Sequence, residues 1–291
     1  RFHHSLRNPF TQCFTSHLSP DFLHSIFVYL NLVNYTTHTM HKFFAKTQFI
    51  GKNVIYLPQC HSTNTEMQTF LKKNILEEGT VVMADFQIKG RGQLNGRWIS
   101  QKGKNILMSV LLNPTFLSLH QQYYLTIIQG LAITDALGHF ISNDVKIKWP
   151  NDIYVGANKI AGILIEASVS KKSIDHAIIG VGININQQEF GTIKATSVLL
   201  ETGLYQNRDH VMELILLYME KWFQKLKNKQ YGEIILRYHA LLFWRNEKHT
   251  FRVQGESMEG KIKGINDRGQ LIVEIRDKER TFNHKELIFI K

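Results

Sequence analysis

Three groups of residues in this 291-residue chain have the types and spacing to do chemistry. The first is Gln87-Ile-Lys-Gly-Arg-Gly-Gln-Leu-Asn-Gly-Arg-Trp98, which sets Gly90, Gly92 and Gly96 among Lys89, Arg91 and Arg97. Glycine lets the main chain approach a ligand and adopt positive φ. Exposed N–H groups and guanidinium charges together receive phosphate oxygens. The loop therefore suggests an anion without saying which. A dinucleotide-binding fingerprint needs glycine where Asn95 stands, and a Walker-type loop needs Lys and then Ser or Thr where Arg97 and Trp98 follow Gly96. Taken alone, the loop also fits a solvated surface segment. The second group is Ser62-Thr-Asn64, polar residues opening a helix, where free N–H groups accept a polar ligand head. The third is Lys148-Trp-Pro-Asn-Asp152 with Lys159 downstream, two lysines that in isolation are ordinary strand-end cations.

These groups need strands and helices to hold them. Asn53–Leu57 is an expected strand, and a helix follows through Met67, Phe70 and Leu71, with Thr63 and Glu66 at capping-box spacing. Apolar runs at 80–86 and 105–112 are expected strands on either side of the glycine loop. Leu119–Phe140 is an expected helix with Leu125, Ile128, Leu131, Ala132 and Leu137 on one side. Val145–Trp149 alternates as a strand does, Pro150-Asn-Asp152 is a turn signal, and 153–155 with 159–166 form an expected hairpin. Ala177–Ile185 is an apolar strand thinned by Gly180 and Gly182, so something must approach its backbone closely. Residues 210–228 and 230–245 are helical by pattern; from His249 the texture changes to short strands and tight turns, as in a small barrel.

Length allows one sizeable α/β domain and a small appendage. Hydrophobic content of 43% and charged content of 20% are ordinary for a globular chain, and the +11 net charge favours anionic ligands, nucleic acid or an acidic partner. Cys13 and Cys60 cannot build a disulfide framework or a metal site, which points to a reducing, cytoplasmic setting. No apolar run approaches the roughly 20 residues of a membrane helix. Residues 1–39 contain no Lys, Glu, Gly or Ala yet hold five of the fourteen His. They are expected to be upstream translated sequence or an artefact, with the working protein starting near Met40. A signal peptide is the rival, but the basic start and small-residue cleavage site are missing.

In order and spacing, Ser62-Thr-Asn64, Gly90-Arg-Gly92 with Trp98, Lys148-Trp-Pro-Asn-Asp152, Lys159-Ile-Ala-Gly-Ile-Leu-Ile-Glu166 and Gly180-Val-Gly-Ile-Asn184 resemble biotin protein ligase, the biotin–[acetyl-CoA-carboxylase] ligase family, in its form without an N-terminal DNA-binding domain. The resemblance runs from about Asn53 to the C-terminus, and the Lys-Trp-Pro-Asn-Asp block is its most specific part. It implies an α+β chain: a mixed-sheet catalytic domain of the biotin/lipoate ligase type over 40–246 and a small SH3-like β-barrel over 247–291. It implies ATP and biotin as substrates with Mg²⁺, and a biotin carboxyl carrier protein as partner; no DNA and no membrane are expected, and homodimerisation is left open.

Residue by residue, the resemblance assigns Ser62, Thr63, Asn64, Gln87, Arg91, Gly92, Gln93, Lys159 and Gly162 to biotin. It assigns Gly90, Arg91, Gly92, Gln93, Trp98, Lys148, Asn151 and Asn184 to ATP or the adenylate, with Gly182 lining the pocket and Asp152 helping to place a metal or orient a lysine. Lys159, Lys148 and Arg91 are the expected catalytic cations. The chain departs from the family pattern at Gln93, where a second arginine is common. A lipoate or octanoate ligase on a related scaffold and a nucleic-acid-binding module are the alternatives.

Overall fold

One face of a seven-stranded sheet carries every group named above. The computed structural model describes residues 46–73, 76–170 and 173–290, all within the compact unit Met40–Lys291. The expectation for residues 1–39 lies outside the described residues. The strands are β1 (Val54–Leu57), β2 (Val81–Ala84), β3 (Ile106–Leu112), β4 (Val145–Lys148), β5 (Asp152–Val155), β6 (Asn158–Val169) and β7 (Ile174–Ile183), in spatial order β1-β2-β3-β7-β6-β5-β4. Helix α1 (Thr63–Leu71) carries the chain from β1 to its parallel neighbour β2, and the other neighbours are antiparallel. The sheet is therefore mixed.

Strand β3 is buried at every position, so both of its faces are covered. Met108, Val110 and Leu112 join the main core, whereas Leu111 packs with Met67 and Phe70 of α1. Because side chains alternate along a strand, Ser109 falls on the α1 face with Leu111. Register then fixes that face across the sheet. One ladder row is Leu107, Gly182, Gly162 and Asp152; the next is Ser109, Gly180 and Leu164; Leu111, Ile178 and Glu166 follow.

Helix α2 (Tyr123–Leu137) covers the other face, with α4 (Arg208–Lys227) and α5 (Tyr231–Leu241) packed behind it. The sequence suggested one apolar side for α2, but twelve of its fifteen residues are buried. The sheet takes one side and α4 and α5 take the rest, and Gly130 lets α2 close on the Ile147 side chain of β4. A short helix, α3 (Val198–Thr202), was not foreseen; Ser197 Oγ accepts from Leu200 N at 3.2 Å, and Gly203 ends it at φ 72°.

The C-terminal strands β8 (Lys248–Val253), β9 (Glu256–Ile265), β10 (Leu271–Ile275), β11 (Lys278–Phe282) and β12 (Leu287–Phe289) pair antiparallel in the order β11-β10-β9-β8-β12, a sheet of the SH3-like barrel type. Phe251, Ile262, Leu271 and Val273 form its interior, continuous with the main core. Side-chain hydrogen bonds seat it on the larger domain: Trp149 Nε1 donates to Gly269 O at 3.0 Å, Arg245 Nε to Lys263 O at 3.0 Å, and Ile265 N to His239 Nε2 at 3.1 Å. Among the described residues, no helix is long and apolar enough to cross a membrane.

Candidate active site

The glycines in β6 and β7 are explained by what rests on them. Gly162 and Gly182 are cross-strand partners, and the Trp98 indole lies over both. A Cβ at Gly182 would collide with the ring, and one at Gly162 would come within 3.2 Å of it and of Lys159 Nζ. One row further on, a Cβ at Gly180 would collide with the Asn64 carboxamide. The close approach expected at this strand is thus made by the chain's own side chains.

Asn64 is held by a relay across the sheet. Ser109 Oγ lies 2.5 Å from Asn64 Oδ1 and 2.7 Å from Thr63 Oγ1, Asn64 Nδ2 donates to Glu166 Oε2 at 2.8 Å, and Glu166 pairs with Arg91 of the glycine loop. The capping box expected from Thr63 and Glu66 does not form. Helix α1 begins one residue earlier, with Ser62 as N-cap and its side chain unused; Glu66 N donates to Ser62 O. Gln87 caps the helix instead, its Oε1 accepting from Thr63 N at 2.8 Å. A neighbouring loop therefore does the capping, and Ser62 lines the cavity.

The glycine loop is a short hairpin. Trp98 N donates to Gly90 O at 3.0 Å, Gly92 N to Gly96 O at 2.7 Å, and Gly96 N to Gln93 O at 2.9 Å, with Leu94 at the tip in left-handed backbone, φ 54°. Gly90 is needed for this closure, because a Cβ there would strike the Trp98 carbonyl; Gly90 does not line the main cavity. Sheet, α1 start, hairpin and the barrel turn at His284–Lys285 enclose a cavity of about 370 Å³. Trp98 Nε1 and Gln93 Oε1 are buried on the hairpin without a hydrogen-bond partner. Buried polar atoms are normally paired, so these two are suited to a polar ligand.

Lys159 projects into the cavity, 2.6 Å from Asp152 Oδ1 and 5.6 Å from the Trp98 ring centroid. Both cavity ion pairs are partly exposed, with side chains 37% and 30% exposed for Arg91 and Glu166 and 30% and 25% for Lys159 and Asp152. Such pairs are weak, about 0–1 kcal/mol, so an incoming anion can displace the carboxylate. Ser62, Thr63, Asn64, Gln87, Arg91, Gly92, Gln93, Trp98, Asn151, Asp152, Lys159, Gly162 and Gly182 are all brought to this cavity.

Besides Gly90, two expected residues are placed elsewhere. Lys148 does not line the cavity; its ammonium is 3.4 Å from Tyr154 Oη and 4.8 Å from the Phe289 ring centroid of the barrel. Burial, then the nearby Asp152 charge, pushes the Tyr154 phenol up to about 12. Asn184 is buried beneath the site, where Nδ2 donates to Thr196 O at 3.0 Å and pins the segment before α3. Asn151 does line the cavity, and its Nδ2 donates to Ile163 O at 2.6 Å.

Ser109, Glu166, His284 and Lys285 were given no role from the sequence, and Arg97 was named only among the cations of the glycine loop. Period-two counting from Gly162 puts Glu166 on its face, and Ser109 is a lone polar residue in an apolar strand; those signals were available. His284 and Lys285 gave none, because their place depends on how the barrel docks. Among the described residues, Asp152 is the one carboxylate lining the cavity, and no three His, Cys, Asp or Glu side chains cluster as a metal site. This donor set fits Mg²⁺ only as an ion shared with substrate phosphates, its usual mode.

Known proteins similar to this chain in sequence and fold belong to one family. Residues 56–184 match the model of the biotin/lipoate A/B protein ligase family. The bifunctional ligase/repressor BirA of Bacillus spizizenii is 32% identical over 81% of this chain and 74% of its own length. The biotin–[acetyl-CoA-carboxylase] ligase of Paracoccus denitrificans is 28% identical over 66% of this chain and 82% of its own. The structure of the biotin protein ligase from Aquifex aeolicus in complex with biotin and ATP superposes with a TM-score of 0.69 at 29% identity, covering 81% of this chain and 97% of that one. The chain belongs to the biotin/lipoate A/B protein ligase family, among its biotin protein ligases.

Proposed function

We infer that this chain is an ATP-dependent biotin–protein ligase. It activates biotin as biotinyl-5′-AMP, releasing pyrophosphate, and transfers biotin to a lysine of a biotin carboxyl carrier protein. The observation that carries the reading is a single cavity in which Lys159, the polar start of α1 and the arginine hairpin converge, in a chain of this family.

In the first step a carboxylate oxygen of biotin attacks the α-phosphorus of ATP and pyrophosphate leaves. Both reactants are anions, so fixed positive charge must offset their repulsion and the charge that develops. Lys159 and Arg91 take this role, each released from its carboxylate as the substrate arrives. Ser62, Thr63, Asn64 and Gln87 receive the polar head of biotin, and Trp98 lies beside the adenylate. Lys148, directed toward Tyr154 and the barrel, supports the Asp152 turn from outside the cavity. Mg²⁺ carried on the triphosphate would meet Asp152, and when bound it adds charge stabilisation at the phosphates.

The mixed anhydride is prone to hydrolysis, and the hairpin excludes water from it. In the second step the carrier amine attacks the acyl carbon, loses its proton and displaces AMP. The nucleophile belongs to the partner, so this chain needs none of its own.

Incubating the protein with ATP, Mg²⁺, biotin and a biotin carboxyl carrier domain should add one biotin to the carrier by mass; an unmodified carrier would overturn the reading. Lys159→Ala should lower biotin-dependent ATP–pyrophosphate exchange by about 10²–10³-fold, the usual scale for a lost electrostatic stabiliser. Exchange near the unsubstituted rate would remove Lys159 from the mechanism.

A further inference from the structure

Three successive rows of the sheet lie under the site and α1, and one side chain rests on each. Trp98 covers the row of Gly182 and Gly162. Asn64 covers the next, Ser109, Gly180 and Leu164. Met67 packs with Leu111 and Ile178 of the row after that. Rows on one face stand about 7 Å apart, two residues of strand rise. The surroundings change along this line. The first row floors the polar cavity, whereas the third belongs to the apolar cluster under α1, with Leu57, Phe70 and Ala84. Between them Gly180 offers no side chain.

Asn64 is what closes that passage. Its carboxamide fills the space a Cβ on Gly180 would enter, and the residue is 2% exposed. The chain itself supplies its partners. Nδ2 donates to Glu166 Oε2 at 2.8 Å and to Leu164 O at 3.4 Å, and Oδ1 lies 2.5 Å from Ser109 Oγ. The group thus bars the sheet from β3 to β6. Asn64 and Met67, three residues apart on α1, share the face turned to the sheet. An alkyl chain entering from the cavity would have to strip partners from these buried polar groups, a costly exchange. Without the carboxamide, the cavity would run on into apolar surroundings.

We propose that Asn64 is a specificity-determining residue: it stops an unbranched acyl chain from threading over Gly180 into the space under α1. The site therefore takes a compact acid and rejects a medium-chain fatty acid such as octanoate. This rests on the ligase reading given above and adds to it the feature that excludes linear acids.

Asn64→Ala opens the passage. In acid-dependent ATP–pyrophosphate exchange, the ratio of kcat/KM for biotin to kcat/KM for octanoate should fall about 10²-fold, the scale on which pocket shape separates acyl groups. An unchanged ratio would overturn the proposal. Asn64→Leu restores bulk without hydrogen bonds and should exclude octanoate again; octanoate used equally well by both variants would refute a role for bulk. Asn64→Ser keeps a hydroxyl beside Ser109 and opens the same passage, so it carries the test if Asn64→Ala does not fold. Adding Met67→Phe to the open variant narrows the far end and should shift preference from octanoate to butanoate. A merely loosened fold would not make chain length follow residue 67, and an unshifted preference would count against the passage. Calorimetric titration of the full chain with octanoate alone reads the passage without ligase chemistry: Asn64→Ala should bind it and the unsubstituted chain should not, and equal behaviour would refute the assignment. Absence of biotin-dependent exchange in the unsubstituted protein would instead count against the ligase reading.

Discussion

Glu166 shows how much one carboxylate can organise. It accepts from Asn64 at the start of α1 and pairs with Arg91 on the hairpin, so it links the floor of the site to its cover. The pair is about one-third exposed on each side, which limits its worth to roughly 0.2–1 kcal/mol. Glu166→Gln keeps an acceptor for Asn64 but removes the charge opposite Arg91. Release of biotinyl-AMP, followed by rapid filtration, should therefore accelerate about two- to fivefold with the melting temperature unchanged. A release rate equal to that of the unsubstituted protein would show that Arg91 is held by something else.

At the scale of elements, the hairpin over β6 and β7 works because two strands lack side chains where Trp98 lies. Gly182→Ala should force the indole off the sheet, since the methyl group has nowhere to go. Overpacking of this kind costs about 1–3 kcal/mol, and displacing Trp98 transfers that cost to closure of the hairpin. Limited proteolysis within 90–98 should become faster, and KM for ATP should rise. A crystal structure of Gly182→Ala with Trp98 unmoved would sink this account. Ile88 and Ile99 flank the same hairpin and Leu94 stands at its tip, at 51%, 66% and 60% exposure, which leaves this segment weakly packed.

For the whole molecule, the decisive joint is between the larger domain and the barrel. His239 of α5 accepts from Ile265 N, and Gly264 leaves room for its ring. Burial, then the nearby Arg245 charge, holds His239 below its ordinary 6.5. Below that value the unfolded chain takes up a proton that the folded chain resists. The contribution to stability is therefore complete above about pH 6.5 and is lost as pH falls toward the lowered folded value. Burial also lowers His284, so it adds in the same direction. Melting temperatures should drop between pH 7 and 5.5, and the drop should be smaller in His239→Gln, whose carboxamide oxygen can accept from Ile265 N without titrating. An identical pH profile in the two proteins would show that this joint does not sense acid.

The sequence by itself determined the strand segments and the short-stranded region after His249, because apolar runs such as those of β3 and β7 and the turn chemistry near the C-terminus need no partner to be read, whereas the mixed sheet was implied by the family resemblance. It also brought most of the cavity residues together, because Ser62-Thr-Asn64, the glycine loop and the block at 148–152 are contiguous motifs. Only the tertiary structure decided which way Lys148 points, that Asn184 lies under the site, that Gln87 rather than Glu66 caps α1, and that Lys285 enters the cavity. Each of those depends on a residue twelve or more positions distant or on the docking of one domain against another. Periodicity fixes the face of a strand or helix on which a side chain lies, whereas the partner it meets there is set by register and packing across the fold.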